Sequence, residues 1–192
     1  MDPSIKNKLK LSLGAEEKET PQEEKQEYNM GMLSPECIEL LTYRIQQEQY
    51  SSKIYEQFSL WLDDQGLVNL AALYDKYAQE ELVHAGWAKE YLLSYNLKPR
   101  LRAIDEVDSS IFYSSIQDIL DLTLQHEIEV SNQCNALATH ALSENNHLLY
   151  TLASRYCKEQ VEELKKSYDL LSQYKRAKDD LMFDFYIGEL QG

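Results

Sequence analysis

Four stretches of the chain carry their inward-type residues in alternating steps of three and four, the spacing that lays one stripe along an α-helix. The first follows Ser34-Pro35-Glu36, where Ser34 suits a helix N-cap and Pro35 the first helical position. Its stripe is Ile38, Leu41, Ile45, Glu48, Ser52, Tyr55, Ser59 and Leu62, which predicts a helix from residue 35 to about 62. Asp63-Asp64-Gln65-Gly66 then makes a tight turn. The second stripe is Leu67, Leu70, Tyr74, Tyr77, Glu81, His84, Ala88, Tyr91 and Tyr95, a helix over about 67–95. The third is Tyr113, Ile116, Leu120, Thr123, Glu127, Val130, Cys134, Leu137 and Ala141, with a start expected near Ser109 or Ser110. After a turn at Ser143-Glu144-Asn145-Asn146 comes a helix over about 147–174, facing inward with Leu149, Leu152, Tyr156, Gln160, Glu163, Ser167, Leu170 and Tyr174. A short aromatic-rich helix over about 179–188 ends the pattern.

The connections suggest how these helices are joined. Short turns after the first and third helices make each neighbouring pair an antiparallel hairpin. Between the second and third lies a polar stretch, 96–108, broken by Pro99. A helix of roughly 28 residues is about 42 Å long, and roughly 13 residues can stretch about 45 Å. One long crossover can therefore run the length of a four-helix bundle and leave the middle two helices parallel. The fold class expected is all-α: four bundle helices, one crossover and a short fifth helix.

Residues 1–31 break the pattern. From Glu16 to Glu27 they are almost entirely polar, too poor in apolar surface to offset the entropy of ordering. They are read as an N-terminal extension, with a single helical domain over 32–192.

Composition narrows the function. Helix breakers are few, with 6 glycines and 4 prolines in the whole chain, which favours an all-α reading. A net charge of −14 disfavours nucleic acid and anionic membranes and attracts cations. No apolar run approaches the roughly 18 residues of a membrane span, and the N-terminus has no apolar core of a secretory signal. Cys37, Cys134 and Cys157 are odd in number and form no C-x-x-C pair, so neither a disulfide framework nor a zinc site is expected, and a reducing cytoplasm is the default.

Each bundle stripe turns polar near its middle. Glu48 stands there on the first helix, Glu81 and His84 on the second, Glu127 on the third, Gln160 and Glu163 on the fourth. A lone glutamate on a helix is ordinarily solvated. Four at one depth on inward seams would repel each other and resist burial. A pair of divalent cations is the simplest compensation, and carboxylates with one imidazole suit iron or manganese.

The motifs carrying these residues resemble those of bacterial non-haem ferritins. They are Glu48-Gln49-Tyr50-Ser51-Ser52-Lys53-Ile54-Tyr55, Ala78-Gln79-Glu80-Glu81-Leu82-Val83-His84-Ala85 and Glu159-Gln160-Val161-Glu162-Glu163, preceded by Met32-Leu33-Ser34-Pro35-Glu36. The resemblance covers about 32–192 and implies a ferritin-like fold with a di-iron ferroxidase site. By that likeness Glu48, Glu81 and His84 hold the first iron, and Glu81 bridges to a second held by Glu127 and Glu163. Gln160 stands beside the pair or ligates weakly, and Tyr55 matches a tyrosine next to the site. Glu80, Glu159 and Glu162 resemble an accessory third-iron site. The fourth helix lacks a second Glu-x-x-His and the second helix lacks a methionine, so a bacterioferritin-type haem is not implied. Tyr150 and Ala153 stand where animal ferritins place acids that line an iron channel. The family further implies a 24-subunit homo-oligomeric shell and oxidation of Fe(II) by O2 or H2O2. A ferritin-like di-iron oxidase acting on another substrate, without a storage shell, is the alternative.

Overall fold

The computed structural model describes residues 33–107 and 114–191. The expected extension, 1–31, lies outside them, as do Ser109, Ser110 and Tyr113. Five helices make up the described fold: α1 (Pro35–Asp64), α2 (Val68–Ser94), α3 (Ile116–Ser143), α4 (His147–Tyr174) and α5 (Asp180–Gln191). No strand occurs among the described residues.

Local chemistry sets the ends. At the start of α1, Ser34 Oγ accepts from the Cys37 amide at 3.1 Å, with Pro35 just behind it. Its other end unwinds through Gly66, whose φ of +78° suits a residue without a Cβ. There the Leu67 amide returns to the Leu62 carbonyl at 2.9 Å. Asn145, at φ +53°, serves the same role after α3, and Asn146 Oδ1 caps α4 by accepting from the Leu149 amide.

The third helix begins later than its stripe suggested. Ser115, not Ser109 or Ser110, is the N-cap, and Ile116 opens the helix. The reason is a reciprocal cap. Ser115 Oγ accepts from the Asp118 amide at 3.2 Å, while the Asp118 carboxylate accepts from the amide and hydroxyl of Ser114. The connection between α2 and α3 is correspondingly longer than 96–108. It is tied to α1 by Gln46 Nε2 donating to the Ala103 carbonyl at 2.6 Å and by an ion pair between Arg102 and Glu39.

Helix α1 packs along α2, and α3 along α4. Two apolar clusters fill the bundle. One gathers Cys37, Leu41 and Ile45 of α1, Ala88 and Leu92 of α2, Cys134, Leu137 and Ala141 of α3, and Leu149, Ala153 and Tyr156 of α4. The other gathers Tyr55, Phe58 and Leu62 with Leu70, Tyr74, Tyr77, Ile116, Leu120 and Leu170. The first cluster thus holds the C-terminal halves of both α2 and α3. Those helices are therefore parallel, and their connection is a crossover along the bundle.

Helix α5 closes the second end. Phe183 and Ile187 are buried in that cluster, while Phe185 and Tyr186 are exposed. Leu67 offers α2 no side-chain cap, and Asp184 of α5 supplies one. Its carboxylate accepts from the amides of Asn69 at 3.0 Å and Leu70 at 2.8 Å, and from Asn69 Nδ2 at 2.9 Å. Gly188 makes the approach possible, since a Cβ there would stand 2.7 Å from Asn69 Oδ1.

Candidate metal centre

Between the two apolar clusters the seam carries charge. Glu48, Glu81, His84, Glu127, Gln160 and Glu163 are all buried. Their helical positions follow from the stripes, in which each lies three or four residues from the next inward position.

The closest grouping joins α1 and α2. One ligand atom each from Glu48, Glu81 and His84 lies within 4.8 Å of the others. His84 Nδ1 is 3.4 Å from Glu81 Oε2, one turn along the same helix. Glu127 occupies the α3 side. It accepts from the Tyr55 hydroxyl in a short hydrogen bond, and from Gln160 Nε2 at 2.8 Å. Glu163 of α4 pairs with Lys166 Nζ at 2.7 Å.

The remaining acids lie toward solvent. Glu80 and Glu159 are partly buried, and Glu162 is exposed. Glu159 Oε1 is 3.9 Å from His84 Nε2, and Glu80 Oε2 is 3.6 Å from Lys166 Nζ. Glu80 and Glu159 therefore border the buried group, while Glu162 takes no part in these contacts. Ala153 is fully buried among apolar side chains.

Several partners of the site escaped the sequence reading. Arg44 is 2% exposed, and its Nε lies 2.8 Å from Glu48. Its Nη1 donates to Gln133 Oε1 at 3.0 Å. The signal was available, because Arg44 precedes Glu48 by one helical turn on the same face. His126 precedes Glu127 on α3. Its Nε2 is 2.8 Å from Ser51 Oγ, and its ring meets that of Tyr55 edge-on at 5.9 Å. On the far side the Trp87 ring lies 4.7 Å from that of His84, tilted by 50°, beneath the Arg155 guanidinium.

Burial governs the acidity of the group. It pushes the Glu81 carboxyl up to about 8, with the charges of Glu127 and Glu163 adding to the rise. It raises Glu48 as well, against the pull of Arg44. Glu163 is also raised by burial, with Lys166 opposing. The Tyr55 phenol is driven well up by burial and then by Glu127, so it remains a proton donor to that carboxylate. Protons and the cations of Arg44 and Lys166 thus offset the buried negative charge. Divalent metal ions can replace those protons, and the donor set of oxygens with one imidazole fits iron.

A sequence model of the ferritin-like domain matches residues 38–177. A bacterial non-heme ferritin of Escherichia coli is 31% identical over 134 residues, which are 70% of this chain and 80% of that protein. Ferritin BfrB of Mycolicibacterium smegmatis is 30% identical over 164 residues, 84% of this chain and 90% of that one. Among solved structures, the open pore ferritin of Archaeoglobus fulgidus superposes with a TM-score of 0.77 at 25% identity, covering 82% of this chain and 97% of that one. The domain match spans all but the outermost turn of the four bundle helices and every residue of the buried polar layer, and on that ground the chain belongs to the ferritin family.

Proposed function

We propose that this ferritin-family protein stores iron, and that it oxidises Fe(II) at a di-iron site inside the bundle. The observation that carries this reading is the convergence of Glu48, Glu81 and His84 within one buried layer that also holds Glu127 and Glu163. Nothing in packing alone calls for so many ionisable groups in one core.

In this reading Glu48, Glu81 and His84 bind one ferrous ion. Glu81 also reaches the second, which Glu127 and Glu163 bind. Gln160 and Tyr55 hold Glu127 by hydrogen bonds to its carboxylate, so that its lone pairs stay aimed into the layer. Lys166 releases Glu163 when a cation takes its place. Each Fe(II) gives up one electron. Dioxygen accepts the pair and leaves, with two protons, as hydrogen peroxide. Where peroxide is the oxidant, it leaves with two protons as two waters. Glu80 and Glu159, at the edge of the layer, are placed to receive iron on its way in or out, with Glu162 as an outer ligand of that accessory position. No residue of the set suggests a haem.

Storage requires an enclosed space, and we infer assembly into a 24-subunit shell of this chain alone. The ferritin relatives and the archaeal open pore ferritin support that inference. So do the exposed apolar side chains of α5, Leu181, Phe185 and Leu190 among them, which would be covered by a neighbouring copy. We place the protein in the cytoplasm, in keeping with its three free cysteines. Anaerobic addition of Fe(II) followed by oxygen should oxidise about two irons per chain in a fast phase, in a particle of about half a megadalton. A wild-type protein with no fast phase, or with kinetics unchanged by Glu81→Ala and His84→Ala, would sink the ferroxidase reading.

A further inference from the structure

We propose a second cation site at the other end of the first apolar cluster, formed by Cys37, His140 and Glu144 and suited to a thiophilic divalent ion such as Zn2+. It is separate from the mid-bundle layer. Cys37 precedes Glu48 by three helical turns and His140 follows Glu127 by more than three, which places the two sites roughly 16–20 Å apart. Leu41, Ile45, Leu137 and Ala141 fill the space between.

The three side chains come from the start of one helix and the end of another, and they meet at one end of the bundle. Cys37 is in the first turn of α1, His140 in the last turn of α3, and Glu144 is the residue that ends α3. One ligand atom from each lies within 4.8 Å of the other two. Cys37 Sγ stands 3.0 Å from Glu144 Oε2, and His140 Nε2 stands 3.0 Å from Glu144 Oε1. Ligand atoms around a tetrahedral zinc ion are about 3.3–3.8 Å apart at bond lengths of about 2.0–2.3 Å. Small rotations of these side chains suffice to admit one. The mixture of thiolate, imidazole and carboxylate is one that zinc accepts and that harder ions do not favour.

Two further observations set this group apart from an ordinary helix cap. Cys37 is wholly buried, yet its sulfur faces a carboxylate instead of hydrocarbon. His140 Nε2 is itself buried and completes no hydrogen bond, although the carboxylate is close by. A cation between the three would give His140 Nε2 a partner and would take the place of the Cys37 thiol proton that now reaches Glu144. Ser34 Oγ, 2.8 Å from the same carboxylate, or a water from the adjoining open pocket would complete four-fold coordination. That pocket, of about 560 Å³, is lined by Ser34, Glu144 and His147 among others and supplies an entry path. Binding exchanges the Cys37 thiol proton for the metal ion. It clips the start of α1 to the end of α3 and so joins the two hairpins. The cysteine spacing along the chain argued against zinc, because the cluster is built across more than a hundred residues.

Cobalt(II) reports such a site directly. Metal-free full-length protein, titrated anaerobically with Co2+, should show a near-ultraviolet thiolate-to-cobalt charge-transfer band that saturates at one ion per chain and is discharged by one equivalent of Zn2+. The band should vanish in Cys37→Ser and persist in Glu81→Ala, which removes a mid-bundle ligand. Glu144→Gln, a change on an exposed turn, should weaken Co2+ binding at this band by at least tenfold. Absence of the band in the wild-type protein overturns the proposal. So does a band that survives in Cys37→Ser, which would assign the thiolate to Cys134 or Cys157, and so does undiminished affinity in Glu144→Gln.

Discussion

Arg44 Nε lies 2.8 Å from a carboxylate oxygen of Glu48, and both side chains are almost wholly removed from water. A divalent cation held by Glu48 must therefore sit beside a permanent positive charge. At an effective dielectric of 20, unit charges 4 Å apart interact by about 4 kcal/mol. Replacing Arg44 with glutamine, which keeps most of the side-chain volume, should tighten binding of the first metal ion by about tenfold or more. The metal-free protein should lose about 3–5 kcal/mol, because Glu48 is left buried without its partner. Anaerobic calorimetry with Fe(II) and chemical denaturation without metal measure the two effects. Unchanged metal affinity would show that Arg44 acts on the fold alone.

Burial raises the Glu81 carboxyl from 4.5 to about 8. The folded protein therefore holds this proton across a range in which the unfolded chain has lost it. The resulting stabilisation is complete below about pH 4.5 and is lost as pH rises towards 8. A metal ion competes with the same proton, so metal affinity should climb with pH over that range and level off above it. Thermal midpoints of metal-free protein should carry a downward contribution between pH 5 and about 8 that Glu81→Gln abolishes. Parallel slopes in the wild type and Glu81→Gln would assign the dependence to other groups.

Tyr55 and Gln160 both hold Glu127, and they should separate from the metal ligands in kinetics. Removing the Tyr55 hydroxyl in Tyr55→Phe forfeits a hydrogen bond to a carboxylate, worth about 1.5 kcal/mol or somewhat more. If that bond orients Glu127 during oxidation, the fast phase slows by about tenfold. The count of irons oxidised per chain should stay at its wild-type value. Glu81→Ala should lower the count itself. Stopped-flow absorbance after mixing with oxygen distinguishes rate from stoichiometry.

Asp184 should matter to the bundle although it lies in the short last helix. It satisfies two amides at the exposed start of α2 and the side chain of Asn69. Asp184→Ala should cost about 1–3 kcal/mol by leaving those donors unpaired. The loss should appear in denaturant midpoints and in faster amide exchange at Asn69 and Leu70. Protection there equal to wild type would mean that another group caps α2.

Much of this arrangement could be read along the chain. The stripes on α1 and α2 place nearly every inward residue, from Leu41 to Tyr95, on the side that is buried. The polar breaks at Glu48, Glu81, Glu127 and Glu163 were visible because periodicity marks them as inward before any contact is known. What stayed hidden is chiefly long-range. Asp184 capping α2 and the meeting of Cys37 with His140 join positions more than a hundred residues apart. The start of α3 was misplaced because several serines compete as caps, and only the reciprocal bonds of Ser115 and Asp118 decide between them. Arg44 was missed for a different reason: an arginine on a seam reads as a surface residue unless the carboxylate one turn away is considered with it.

The charged layer between two apolar clusters has a consequence for folding. Each bundle helix offers one short interval where an inward acid is tolerated, and all four intervals must coincide. Sliding any helix by one turn, about 5.4 Å, would press a glutamate into hydrocarbon and leave its counterpart facing leucine or alanine. Such slips are otherwise cheap in a bundle of similar seams. The same glutamates that would receive iron thus index the helices against one another, and they do so before any ion arrives.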